Sequence, residues 1–126
     1  MSLTIHADVL VAAHTAVLGE IDAEGATAYV AIYDVGNVLL STLPLDYPSG
    51  TVNGTTGTLT LTWGARDEAA AASGTANYAT VCDAADKALL TLSCATGTVA
   101  VADTCVLGSL TVVAGSPVEG ISLTIG

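Results

Sequence analysis

The hydrophobic pattern changes its period once along the chain. In the N-terminal segment Leu10, Ala13, Val17, Leu18 and Ile21 share one stripe of a helical wheel, while Asp8, Thr15 and Glu20 fall largely off it. That spacing predicts an amphipathic helix from about Thr4 to Leu18 or Ile21, with Thr4 as N-cap and Gly19 or Gly25 as the stop. After Gly25 the period becomes two. "TLTLTW" sets Leu59, Leu61 and Trp63 against Thr58, Thr60 and Thr62, and "GISLTIG" repeats the alternation with Ile121, Leu123 and Ile125. Such strands are half-buried and antiparallel. Weaker alternation marks Ala28, Val30 and Ile32, then 38–43, 75–83, 87–93, about 97–101, and 104–113. Turn residues separate these runs in "DVGN", "YPSGTVNGTTG", "DAAD", "ATG" and "AGSP".

The pattern predicts a mainly β fold: a jelly-roll-like antiparallel β-sandwich or barrel of about eight strands, preceded by one N-terminal helix. Residues 1–126 read as a single domain, with 1–24 as the helical segment and 25–126 as the sandwich. The stretch "ARDEAAAASG", residues 65–74, lacks large apolar side chains and is expected to be a connecting loop with at most one turn.

Composition narrows the functions. The chain is 52% hydrophobic but only 4% aromatic, with no Phe, which favours thin, closely packed strands over a deep aromatic pocket. Only Arg66 and Lys87 are basic, against 12 acidic residues and a net charge of −10. Two isolated cations cannot form a phosphate-binding patch, so nucleic acid is excluded as a partner. The acidity is expected to serve solubility and keep copies apart, with a specific use such as calcium binding as the alternative. The N-terminus carries no basic leader, and no apolar run approaches the ~18 residues of a membrane span. We therefore expect synthesis in a cytoplasm, where thiols are free.

Candidate chemistry is concentrated in "TANYATVCDAADKALLTLSCATG", residues 75–97. Read as a hairpin turning at Asp83 to Asp86, it sets Cys82 opposite Lys87 or Ala88 and Cys94 opposite Thr75 or Ala76. The two thiols then lie too far apart for a disulfide. Cys105, on another strand, can approach either. The cysteine spacings match no structural zinc pattern, so Cys82, Cys94 and Cys105 are expected to be small buried hydrophobes. His6 and His14 are poorly placed to clamp one metal on a helix, and each is expected to be capping or partly exposed. Asp83 and Asp86 fit turn residues, being too few for a calcium loop. No nucleophile elbow or phosphate loop is present. The expectation is no catalytic, metal or cofactor residues, and no enzyme. Tyr29, Tyr33, Tyr47, Tyr78 and Trp63 remain as possible sugar platforms, with packing their commoner role. Strands 76–82 and 87–92 are apolar on both faces, one for the core and one for a partner.

The order "VLLSTLPL", "GTLTLTW", "ARDEAAAASGTA", "NYATVCDAADKALLTLSCATG" and "GSLTVVAGSPVEGISLTIG" resembles small virion proteins of tailed bacteriophages. The resemblance covers nearly the whole chain and rests on pattern and order. It implies a head decoration, or cement, protein with a jelly-roll-like fold, seated as an oligomer on the outer capsid surface over joints between major capsid protein subunits. The excess of apolar strand faces suits a closed homo-oligomer, a dimer before a trimer. A phage tail, baseplate or fibre component is the first alternative, and a small carbohydrate-binding module the second.

Overall fold

The computed structural model describes residues 6–23, 27–64, 67–101 and 103–125. Among these, helix α1 (Ala7–Ile21) precedes β1 (Tyr29–Tyr33), β2 (Leu39–Val52), β3 (Leu59–Trp63), β4 (Gly74–Thr75), β5 (Tyr78–Cys82), β6 (Ala88–Thr96), β7 (Thr104–Leu107), β8 (Thr111–Val112) and β9 (Gly120–Ile125). Seven strands close a barrel in the order β1-β2-β3-β9-β7-β6-β5, and β4 and β8 form a separate two-stranded ribbon. The fold is mainly β after one helix, as the periodicity predicts.

One seam departs from the antiparallel expectation. A ring with an odd number of strands cannot alternate direction all the way round, so at least one neighbouring pair must run parallel. Here it is β6 and β7, paired from Ser93↔Thr104 to Thr96↔Leu107. Parallel neighbours usually need a long crossover. Residues 97–103 suffice because β7 starts level with Ser93, so the chain returns only about 10 Å along the barrel. That stretch, expected as a strand at 97–101, is irregular where described.

The core lies inside the ring. Val30, Ile32, Leu43, Leu45, Leu59, Leu61, Ala79, Val81, Cys105, Leu107 and Leu123 are buried there, each large aliphatic contributing about 1.5–3 kcal/mol of transfer free energy. On β6 the inward side chains Leu90, Leu92 and Cys94 are only half-buried.

Boundaries and register differ from expectation in four places, the first being the 75–83 run, which divides at Ala76 and Asn77 into β4 of the ribbon and β5 of the barrel. β2 runs on through "YPSGTV", read as turn, because a wide bulge between Leu45 and Gly50 absorbs Asp46, Tyr47 and Pro48 and then resumes pairing with β3. Gly50 is required there: a Cβ would strike the Thr60 carbonyl of the neighbouring strand. The 104–113 run splits into β7 and β8 across Gly108 and Ser109. In the 75–97 hairpin Cys82 does face Ala88, but an irregularity between Val81 and Cys82 moves the rest by one residue, so Tyr78 faces Ser93. Cys94 donates its backbone N–H to Asn77 O (3.0 Å) rather than lying opposite Thr75 or Ala76.

Helix α1 packs on β2 and β3. Its N-cap is His6, whose Nδ1 accepts from Asp8 N at 3.1 Å. Thr4 and Gly25 lie outside the described residues, and Gly19 sits inside the helix rather than ending it. The stop is Asp22, whose carboxylate accepts from Ser49 N (3.1 Å) and Ser49 Oγ (2.5 Å) in the β2 bulge. A helix lying across a hairpin touches it along a narrow line. Accordingly only Ile21 and His14 are buried, and Ala13, expected on the stripe, is exposed. From residue 67 to 73 the chain forms the expected loop, pinned by an Asp67↔Val118 bridge and by Ala71 N donating to Leu40 O (2.8 Å).

Candidate interaction surface

Two stretches of the chain build the same hairpin. "YVAIYDVGNVLLSTL" and "YATVCDAADKALLTL" align Tyr29 with Tyr78, Asp34 with Asp83, Asn37 with Asp86, Leu40 with Leu89, Thr42 with Thr91 and Leu43 with Leu92. In the first turn Asp34 Oδ1 accepts from Gly36 N (2.8 Å) and Val38 N (2.9 Å), and Asn37 takes φ 64. In the second, Asp83 Oδ1 accepts from Ala85 N (3.0 Å) and Lys87 N (2.9 Å), and Asp86 takes φ 66. Asn and Asp tolerate that left-handed conformation better than most residues. β1 and β5 lie side by side, with Ala31 opposite Thr80, Tyr29 opposite Cys82 and Tyr33 opposite Tyr78. The hairpins are thus related by an approximate two-fold axis between Ala31 and Thr80.

Each tyrosine at the start of one hairpin reaches the turn of the other. Tyr29 OH donates to Asp86 Oδ1 (2.9 Å), and Tyr78 OH donates to Asn37 Oδ1 (2.8 Å). Burial, and then the bond to the Asp86 carboxylate, pushes the Tyr29 phenol well above its ordinary range. The signal for this repeat is present in the sequence as Tyr-x4-Asp-x2-Asn/Asp. Periodicity and turn propensity overlooked it because they treat each turn separately.

The two hairpin tips have diverged in chemistry. The first exposes Val35 (83%), Val38 (48%) and Leu39 (39%). The second has Ala84, Lys87 and Ala88 at the matching places. Beside the apolar tip, Leu39, Tyr33, Tyr78 and Ser93 form one row across β2, β1, β5 and β6. Tyr33 and Tyr78 stack with ring centroids 5.1 Å apart and planes 13° from parallel. On β6 the outer face offers only the half-buried Leu89 beside the exposed Thr91 and Ser93, since Leu90 and Leu92 point inward. On β5, in contrast, the second face is not free: Thr80 and Cys82 are buried on the outward side. The expectation of a spare apolar face therefore fails on both strands: on β5 that face is buried, and on β6 it is largely polar.

The other sequence candidates are scattered. His14 is buried and its Nδ1 bonds the Gly57 carbonyl, so it ties the helix to the β2–β3 turn, while His6 caps. Of the platform candidates, Tyr29 and Tyr78 are held by their phenols and Tyr33 by stacking. Tyr47 projects from the β2 bulge, and the Trp63 indole lies against Gly120, where a Cβ would enter the ring. Arg66 lies outside the described residues. All three cysteines are free thiols, Cys82 and Cys105 buried and Cys94 half-buried. A surface depression of about 220 Å³ between Gly108 and Glu119 gathers Ser109, Thr111 and Glu119 around Val112, Pro117 and Val118. Among the described residues no three His, Cys, Asp or Glu side chains group to hold a metal, and no helix is long and apolar enough to cross a membrane. Comparison with protein-family models, curated proteins and solved structures found no match.

Proposed function

We propose that this protein is a structural component of a tailed-bacteriophage virion that decorates the outside of the head and braces contacts between major capsid protein subunits. The observation that carries the reading is the exposed apolar tip Val35, Val38 and Leu39, set beside the stacked Tyr33 and Tyr78 on a rigid barrel wall. Such a patch attaches by burial of apolar area, a contact that salt does not screen. Modest affinity per copy is enough, because copies arrayed on a symmetric shell act together. Each copy binds the assembled shell and not the free subunits, so mass action stabilises the shell. The net charge of −10 keeps decorated particles dispersed. In this reading the protein is not an enzyme and works as a closed homo-oligomer, dimer before trimer, made in the host cytoplasm.

The test is reconstitution on stripped heads. Purified protein should rebind and raise the rupture temperature in proportion to occupancy, at low and high salt alike, with dimers in solution by light scattering. Val35→Asp with Val38→Asp should abolish rebinding without changing the melting of the free protein. Failure to rebind, or equal rupture temperatures at full occupancy, refutes the reading. Localisation at the tail in a few copies per particle establishes the tail-component alternative instead.

A further inference from the structure

The single parallel seam places Cys94 on β6 directly opposite Cys105 on β7. Neighbouring strands lie about 4.8 Å apart, inside the Cα separation that a disulfide spans. Cys105 is fully buried and points into the core, and Cys94, its partner in the ladder, packs against the same core. Both are reduced. We propose that Cys94 and Cys105 are a built disulfide site, closed by exchange with a small-molecule disulfide, and that the bond staples the parallel seam that closes the barrel.

The two thiols have different parts. Cys94 is half-buried, and a hydrogen bond from Cys105 favours its thiolate, which lowers its pKa. That same bond, together with burial, holds the Cys105 thiol strongly protonated. Cys94 is therefore the attacking sulfur. Its thiolate attacks one sulfur of the small disulfide, forming a mixed disulfide and releasing one small thiolate, which takes up the proton Cys94 lost. Cys105 then loses its proton and attacks the Cys94 sulfur, and the second small thiolate leaves with that proton. Two protein thiols are oxidised and one small disulfide is reduced to two thiols. Cys82 takes no part, because it lies at the far end of the β5–β6 ladder, opposite Ala88.

The seam is where a covalent link acts most strongly. It is held by only four residue pairs, Ser93↔Thr104 to Thr96↔Leu107, in the parallel pairing that is slightly weaker per residue. A bond from Cys94 to Cys105 closes the short loop between β6 and β7, restricting the unfolded chain. This inference stands apart from the capsid reading and survives its failure.

The native full-length protein is incubated with excess oxidised glutathione, quenched with acid, alkylated in denaturant and weighed intact. The expected product has lost two hydrogens, carries one alkyl group at Cys82, and yields a fragment linking Cys94 to Cys105. The oxidised protein should melt above the reduced one. Cys105→Ser should stop the reaction at a glutathione adduct on Cys94, and Cys82→Ser should change nothing. Three alkylated cysteines after incubation, a link involving Cys82, or an oxidised form melting no higher than the reduced form overturns the proposal.

Discussion

The duplicated turn provides an internal control for what a buried carboxylate contributes. Asp34 and Asp83 each accept two backbone N–H bonds through Oδ1, at 2.8 and 2.9 Å and at 3.0 and 2.9 Å. The difference between them is burial: Asp83 is 3% exposed, and the bonds of Asp34 lie at the surface. Replacing either by Ala removes the same two charge-assisted bonds. At Asp34 water takes over the freed N–H groups, leaving a net loss of about 1 kcal/mol. At Asp83 the amides are part-buried and poorly rehydrated, so the loss rises to about 3 kcal/mol. With an unfolding entropy of about 2.1 cal/mol/K per residue over 126 residues, each kcal/mol corresponds to about 4 °C. Asp83→Ala should therefore lower Tm by about 12 °C and Asp34→Ala by about 4 °C, measured by circular dichroism with urea titration as a second readout. Asp→Asn at either site keeps an acceptor oxygen and should recover most of the loss. Equal shifts for the two Ala variants, or a larger one at Asp34, would refute the argument from burial.

Gly57 has φ +80, and a Cβ there would run into Leu10 of the helix. Gly57→Ala should cost about 3 kcal/mol, from the left-handed backbone and overpacking together, and should speed amide exchange in α1; unchanged exchange and Tm would contradict the packing described. The Tyr29 phenol is raised by burial and its bond to Asp86, so the stability it adds is complete below the unfolded value near pH ~10 and is lost as pH rises through the higher folded value. In an alkaline absorbance titration one phenol should lag until unfolding, and Tyr29→Phe should remove that lag; a lag that persists in the variant assigns it elsewhere.

Local chemistry along the chain was enough to mark the helix and most strands, though not their bounds, and the strand expected at 97–101 is irregular where described. Alternation marks Leu59, Leu61 and Trp63 as strand, Asp83 and Asp86 announce their turn, and the helix stripe from Leu10 to Ile21 is legible with no knowledge of what lies beneath it. These features depend on residues within one turn or one pleat of each other. The surface candidate was half legible: Val35, Val38 and Leu39 stand close together in the sequence, whereas the burial of Thr80 and Cys82 depends on β1 lying alongside β5. His14 was also hidden, because a histidine in an apolar stripe gains its meaning only when the Gly57 carbonyl arrives from another element.

Tertiary structure alone decided how the strands close. Register carries through a hairpin only until a bulge shifts it: the shift beside Cys82 recurs beside Tyr33 and so belongs to the repeated turn, whereas the wide bulge between Leu45 and Gly50 has no such copy. Ring closure is more remote still. The number of strands that enter the ring is a property of the whole barrel, and its being odd forces a parallel seam somewhere. That seam falls between β6 and β7, and for this reason Cys94 meets Cys105 and not Cys82. The spacing of cysteines along a chain cannot specify such a meeting, because the pairing energy is gathered from every other seam of the barrel.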